Sequence, residues 1–135
     1  MRSERGSLSL EFVLLVPMLI GLVLFIAGAA TLGRARSTVD DAAWEAARAA
    51  SFARSGVEAD GAARAAVDRR LAGERWSCLA QRVDVDVSGF RPGGDVAVAV
   101  TCDVRLRDTG LFLPGATHVT ARAVAPLDQY KALDP

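Results

Sequence analysis

The sequence predicts an α+β protein: a single N-terminal transmembrane helix extending into an extracytoplasmic helix, then a small antiparallel sheet forming a head. Three observations carry this. An uncharged apolar block runs from Phe12 to Gly33, alanine-rich helical patterns fill the middle of the chain, and apolar–polar alternation begins at Arg82. The 135 residues have room for one globular unit. Lys plus Arg (16) equals Asp plus Glu (16), a net charge of +0. A nucleic-acid binder working by electrostatics would need a basic surplus. Lys131 is the only lysine, and amid so much alanine and glycine the arginine preference reads as compositional bias, not phosphate gripping. The apolar share is 51% and the mean hydropathy +0.24, too apolar for a disordered chain. Two cysteines and one histidine leave little for a zinc site, which takes three or four protein ligands.

Four regions are expected: a leader at 1–6, a transmembrane helix at 7–33, an extracytoplasmic helical region at 34–73 and a small antiparallel β-sheet region at 74–135. The apolar block, about 22 residues at about 1.5 Å rise, gives roughly 33 Å of helix, enough to cross a hydrocarbon core of about 30 Å. Pro17 and the glycines are tolerated in such spans more readily than in soluble helices. Upstream, Arg2 and Arg5 stand against Glu4, and Gly6-Ser7-Leu8-Ser9-Leu10-Glu11 leads directly into the block. Glu11 therefore sits where desolvation is expensive: about 2.5 to 3.5 kcal/mol for an acid at helix centre, and less near the end. Such a carboxylate needs a positive partner, and the apolar span supplies none. A cut after Gly6 would create one, because the new amine of Ser7 lies four residues from Glu11.

A short basic leader ending in glycine, a glutamate five residues later and about twenty apolar residues resemble the leader of type IV pilins and their relatives. The phrase Arg5-Gly6-Ser7-Leu8-Ser9-Leu10-Glu11-Phe12 is similar to the opening of TadE-like and TadF-like pseudopilins of tight-adherence (Flp) pilus systems. The resemblance implies cleavage by a prepilin peptidase on the cytoplasmic side. Gly6 would be the cleavage residue, Ser7 the mature first residue and Glu11 the assembly carboxylate, paired with the N-terminal amine of a neighbouring subunit. Ser7 departs from the bulky apolar first residue of many type IV pilins. Two other readings of the block stay open. A secretory signal could be cleaved after Ala29, although the apolar run is long for an h-region and begins with an acid. Alternatively, Glu11 merely marks the interface of an uncleaved anchor.

Beyond the span, Val39, Ala43, Ala46, Ala50 and Ala53 form one helical apolar stripe, and no glycine or proline interrupts Arg34 to Ser55. The membrane helix is thus expected to run on for several turns. Glu45 and Arg48 are spaced for a weak pair. Asp40 and Asp41 have the composition of a helix-start cap near the membrane. The segment Asp41-Ala42-Ala43-Trp44-Glu45-Ala46-Ala47-Arg48-Ala49-Ala50 also resembles the alanine-and-arginine stretch that TadE-like proteins carry after their span. After Ser55-Gly56 a second helix is expected from roughly Val57 to Leu71, with Gly73 as its stop. It would either fold back as a hairpin or lie over the sheet.

Val83, Val85 and Val87 alternate with Asp84, Asp86 and Ser88. After a Gly-Pro-rich turn, Val96, Val98, Val100, Cys102, Val104 and Leu106 face one way, and Ala97, Ala99, Thr101, Asp103 and Arg105 the other. This is a hairpin with one buried and one wetter face, and His118 to Ala125 adds a third strand. Its apolar face needs a helix as cover. Cys78 and Cys102 are candidates for a disulfide, which would report an oxidising compartment; the alternative is two buried thiols.

The chain shows no phosphate-binding glycine loop and no catalytic constellation: His118 stands alone, and outward-facing Asp84 and Asp86 read as solvated acids. No cofactor or metal, no nucleic acid and no small-molecule substrate is expected. The function expected from the resemblance is non-enzymatic: a minor pilin or pseudopilin assembling a tight-adherence (Flp-type) pilus or related secretion apparatus. Its partners would be prepilin peptidase, other pilin-like subunits, the assembly machinery and the lipid bilayer. Its place would be the bacterial cytoplasmic membrane, single-pass, with the N-terminus cytoplasmic and the head outside. The rival is a single-pass envelope-anchored extracytoplasmic binding module using loop residues such as Phe90, Arg91 or Phe112.

Overall fold

The computed structural model describes residues 5–74, 78–109, 114–130 and 132–133, with side chains described from Glu11 onward except at 108 and 109. Helix α1 (Arg5–Ser51) is continuous through Pro17. Its 47 residues make a rod of about 70 Å. The rod has two kinds of surface. Large side chains from Phe12 to Ile26 are exposed, whereas Ala35, Val39, Ala42, Ala43, Ala46, Ala47 and Ala50 are completely buried. The buried face is wider than the five-residue stripe of the periodicity, because α1 is covered on two flanks, by a second helix and by the sheet. Continuity also removes the role expected for Asp40 and Asp41. They lie inside the helix, so there is no start to cap, and the Asp41 carboxylate instead accepts a hydrogen bond from Arg70 at 3.4 Å. No ion pair joins Glu45 to Arg48 among the described residues.

Helix α2 (Gly56–Leu71) begins at a reciprocal cap. The Glu58 amide donates to the Ser55 hydroxyl at 3.2 Å, and the Glu58 carboxylate accepts from the Arg54 amide at 2.7 Å. Two backbone donors that the helix cannot use are thereby satisfied across the turn. α2 then folds back along α1, burying Ala59, Ala63, Ala66 and Val67 and bringing Arg70 to Asp41. It also meets the sheet: Gln81 donates to Asp68 at 2.7 Å, and a Cβ placed on Gly56 would lie 3.5 Å from Val87. The hairpin and the sheet-covering arrangement are therefore both realised by one helix.

The sheet is antiparallel in the order β1 (Cys78–Asp86), β2 (Asp95–Arg105), β3 (Ala116–Pro126). A four-residue 3-10 turn, Leu106–Thr109, follows β2. Val96, Val98, Val100, Cys102 and Val104 of the central strand are fully buried against the helices, as their alternation predicts. Ala97, expected on the wetter face, is buried too, because its short side chain sits between Asp86 and Val124 on the neighbouring strands. In the β1–β2 turn a Cβ on Gly94 would overlap the Gly89 carbonyl, so a side chain there has no room. The Leu127 amide donates to the Gly94 carbonyl at 2.8 Å and closes that end of the sheet.

The core consists almost wholly of alanine and valine, with Leu127 the largest of its buried members. Small side chains let the layers approach closely but bury little area each, so such a head is marginal by size. Cys78 and Cys102 form a disulfide across β1 and β2, closing a separation of 24 residues beside a register shift between Cys78 and Gln81. Replacing both with alanine is expected to cost the head about 3.5 kcal/mol in the loop-entropy treatment. Chemical denaturation of the full chain in detergent, followed by circular dichroism, checks this.

Candidate functional site

Among the described residues, the N-terminal half of α1 presents a continuous exposed apolar surface. Phe12 is 67% exposed, Met18 73% and Phe25 64%, and the exposed large apolar residues from Phe12 to Ile26 together surround the helix. Water-soluble proteins rarely expose a contiguous apolar patch above a few hundred Å², so this cylinder requires a lipid or protein environment. Its hydropathy and length qualify it as a membrane span. Apolar side chains all round cannot stabilise a helix against a single core, but they suit hydrocarbon. Near the other end the head begins: Leu32 is partly buried against the core.

Gly6 and Ser7 lie in the helical backbone of α1, and the Ser7 side chain lies outside the described residues. Glu11 lies one turn beyond Ser7 on the same face, about 6 Å along the axis, and is exposed. A cation at the level of Ser7 would be within reach of this carboxylate, whether from the same chain or from a parallel neighbour.

The head contains a second feature that periodicity did not reveal. Trp44, Glu45, Arg48 and Ser51 on α1, Phe52 just past its end, and Ala125, Pro126 and Asp128 line a groove of about 840 Å³. Trp44 is 55% exposed and Phe52 73%. Their spacing of eight residues, off the alanine stripe, was the available signal; the opposite wall comes from a distant part of the chain. Of the loop residues considered for binding, Phe90 packs against the core, Arg91 is exposed and Phe112 lies outside the described residues.

Several polar groups of the head pair with one another. His118 Nδ1 is hydrogen-bonded to the Asp103 carboxylate, on the exposed face of the sheet. Arg64 donates twice to Asp60, at 2.9 and 3.0 Å, and holds that carboxyl below its ordinary value. Asp86 is lowered by hydrogen bonding to Ser88. Both depressed carboxyls favour the fold above the ordinary carboxylate range, and the contribution fades as pH falls through their folded values. Both are solvent-screened, so the effect is small. Among the described residues no group of three or more His, Cys, Asp and Glu side chains converges on a metal-sized space.

The span has a direct test. Leu22→Arg places a charge near the middle of the apolar run and is expected to disfavour insertion by about 3 kcal/mol. Extraction with carbonate after expression should find the wild type in the membrane pellet and a large soluble or aggregated fraction of the variant.

Comparison with known proteins bears on the N-terminal third of the chain. No curated protein and no solved structure matches the chain significantly. A family model described as TadE-like protein matches residues 6–48. The match begins at Gly6, takes in Glu11 and the whole apolar run, and ends in the buried alanine stripe. The N-terminal third of this chain is therefore similar to TadE-like proteins, the family that its leader and alanine–arginine phrases also resemble.

Proposed function

We propose that the protein is a non-enzymatic minor pilin or pseudopilin that takes part in assembling a tight-adherence (Flp-type) pilus or related secretion apparatus. The observation that carries this is the position of Glu11, one helical turn after Ser7 at the mouth of an uncharged span, inside the TadE-like match. On this reading a prepilin peptidase cuts after Gly6, and the freed amine of Ser7 meets Glu11 of a neighbouring subunit. The attraction is stronger at the low-dielectric edge of the bilayer than in water. Close packing of apolar helices supplies the rest of the contact. The Cys78–Cys102 disulfide supports a head outside the cytoplasm, with the N-terminus inside, because disulfides persist in oxidising compartments.

A second reading, an envelope-anchored binding module, is favoured by the Trp44–Phe52 groove alone. The two separate cleanly. Under the assembly reading, Glu11→Ala leaves the head folded and disulfide-bonded but removes the protein from cross-linked higher-order complexes in its native membrane. Under the binding-module reading, the variant behaves as wild type. Intact mass of the native protein gives a second check: a chain beginning at Ser7 is expected, whereas one beginning at Met1 or Ala30 would contradict the proposed processing.

A further inference from the structure

Strand β3 advances alongside α1 in the same direction. Arg36, Ser37 and Asp40 share one hollow with His118–Ala121, while Arg48, Ser51 and Phe52 share the groove with Ala125 and Pro126. At about 1.5 Å per helical residue and about 3.3 Å per strand residue the two elements keep pace. Carried back along both, Ala116 and its cross-strand partner Arg105 come level with the last turn of the apolar run, near Leu32. Two contacts agree: Leu32 packs on the core, and the 3-10 turn after β2 packs against α1. The lower end of the head therefore stands where a bilayer spanned by residues 12–33 presents its headgroups.

That end is basic. Arg34 and Arg36 on α1, Arg105 at the end of β2 and Arg107 in the 3-10 turn are all exposed, and none forms an ion pair with a described residue. Of the nearby acids, Asp40 lies one turn farther from the span, Asp103 is bonded to His118, and Asp108 shares the turn with Arg107. Positive charge dominates this rim, although the whole chain is neutral.

We propose that Arg34, Arg36, Arg105 and Arg107 form a collar that binds the phosphates of anionic phospholipid headgroups and seats the head on the bilayer. Guanidinium groups suit phosphate oxygens because their planar donors engage two at once. Near an anionic membrane surface each such charge is worth about a fivefold gain in association. Two of the four belong to the helix and two to the sheet layer, so lipid contact would hold both layers in one orientation to the membrane. The proposal rests on residues 12–33 crossing the bilayer, but not on pilus assembly or on which side the head faces.

The full chain is reconstituted into nanodiscs of phosphatidylcholine alone and of phosphatidylcholine with phosphatidylglycerol, and amide exchange is read in the turn Leu106–Thr109 and at Arg105. Slowing of exchange by about fivefold or more in the anionic discs is expected. The slowing should vanish in about 1 M salt, where the Debye length is about 3 Å, and in the combined Arg34→Gln, Arg36→Gln, Arg105→Gln, Arg107→Gln variant. Equal exchange in the two lipid compositions, or the same slowing from inorganic phosphate added to neutral discs, overturns the collar. Incorporation into discs is scored separately, so failure of the span is distinguishable from failure of the collar. Should the combined variant not fold, the lipid and salt comparison on the wild type still decides.

Discussion

The structure depends on the close approach that alanine allows along the second half of α1. Between Ala35 and Ala50 the buried face of the helix presents side chains no larger than valine to its neighbours, and both α2 and the sheet close onto it. A long apolar rod and a water-facing head are thereby made from one uninterrupted helix. A bulky residue in this stripe would separate layers that have no large side chains with which to fill the gap. The same constraint explains why the head relies on covalent and terminal devices. Its buried area per residue is small, so the disulfide across β1 and β2 and the reciprocal cap at Ser55 and Glu58 carry a larger share of stability than in a bulkier core.

Because the rod is continuous, its two ends are mechanically coupled to the head. Leu32 already touches the core, so little slack separates the span from the folded layers. Any lateral contact made by the span fixes the rotation of the head about the same axis, and any seating of the head constrains how the span presents Glu11. Glu11 at one end of the apolar run and Arg34 and Arg36 just past the other are carried on the same continuous helix. The Trp44–Phe52 groove, farther up the rod, rides with it.

Much of this was legible in the residues. The apolar run without charge, Glu11 at its mouth and the alanine phrase after it marked the span and the segment similar to TadE-like proteins. The alternating valines marked β2, because a strand buried on one face writes its geometry into every second residue. Less legible was anything that required two distant segments at once. Asp41 has the chemistry of a helix-start residue, yet its partner is Arg70 across the hairpin; Ala97 has the register of a solvent-facing residue, yet its cross-strand neighbours close over it. The Ser55–Glu58 cap is different in kind: its spacing is local and readable, but the helical pattern alone, starting near Val57, does not call for it.

The sequence by itself determined which segments are helical, extended or membrane-compatible, since periodicity, side-chain branching and hydropathy act through neighbours a few residues apart. Only the tertiary structure decided that α2 folds back on α1 and also meets β1, that Trp44 and Pro126 line one groove, and that the 3-10 turn carrying Arg107 packs against α1. Those juxtapositions arise from which faces can exclude water together, and the energy of that exclusion is not defined until all the layers are in place.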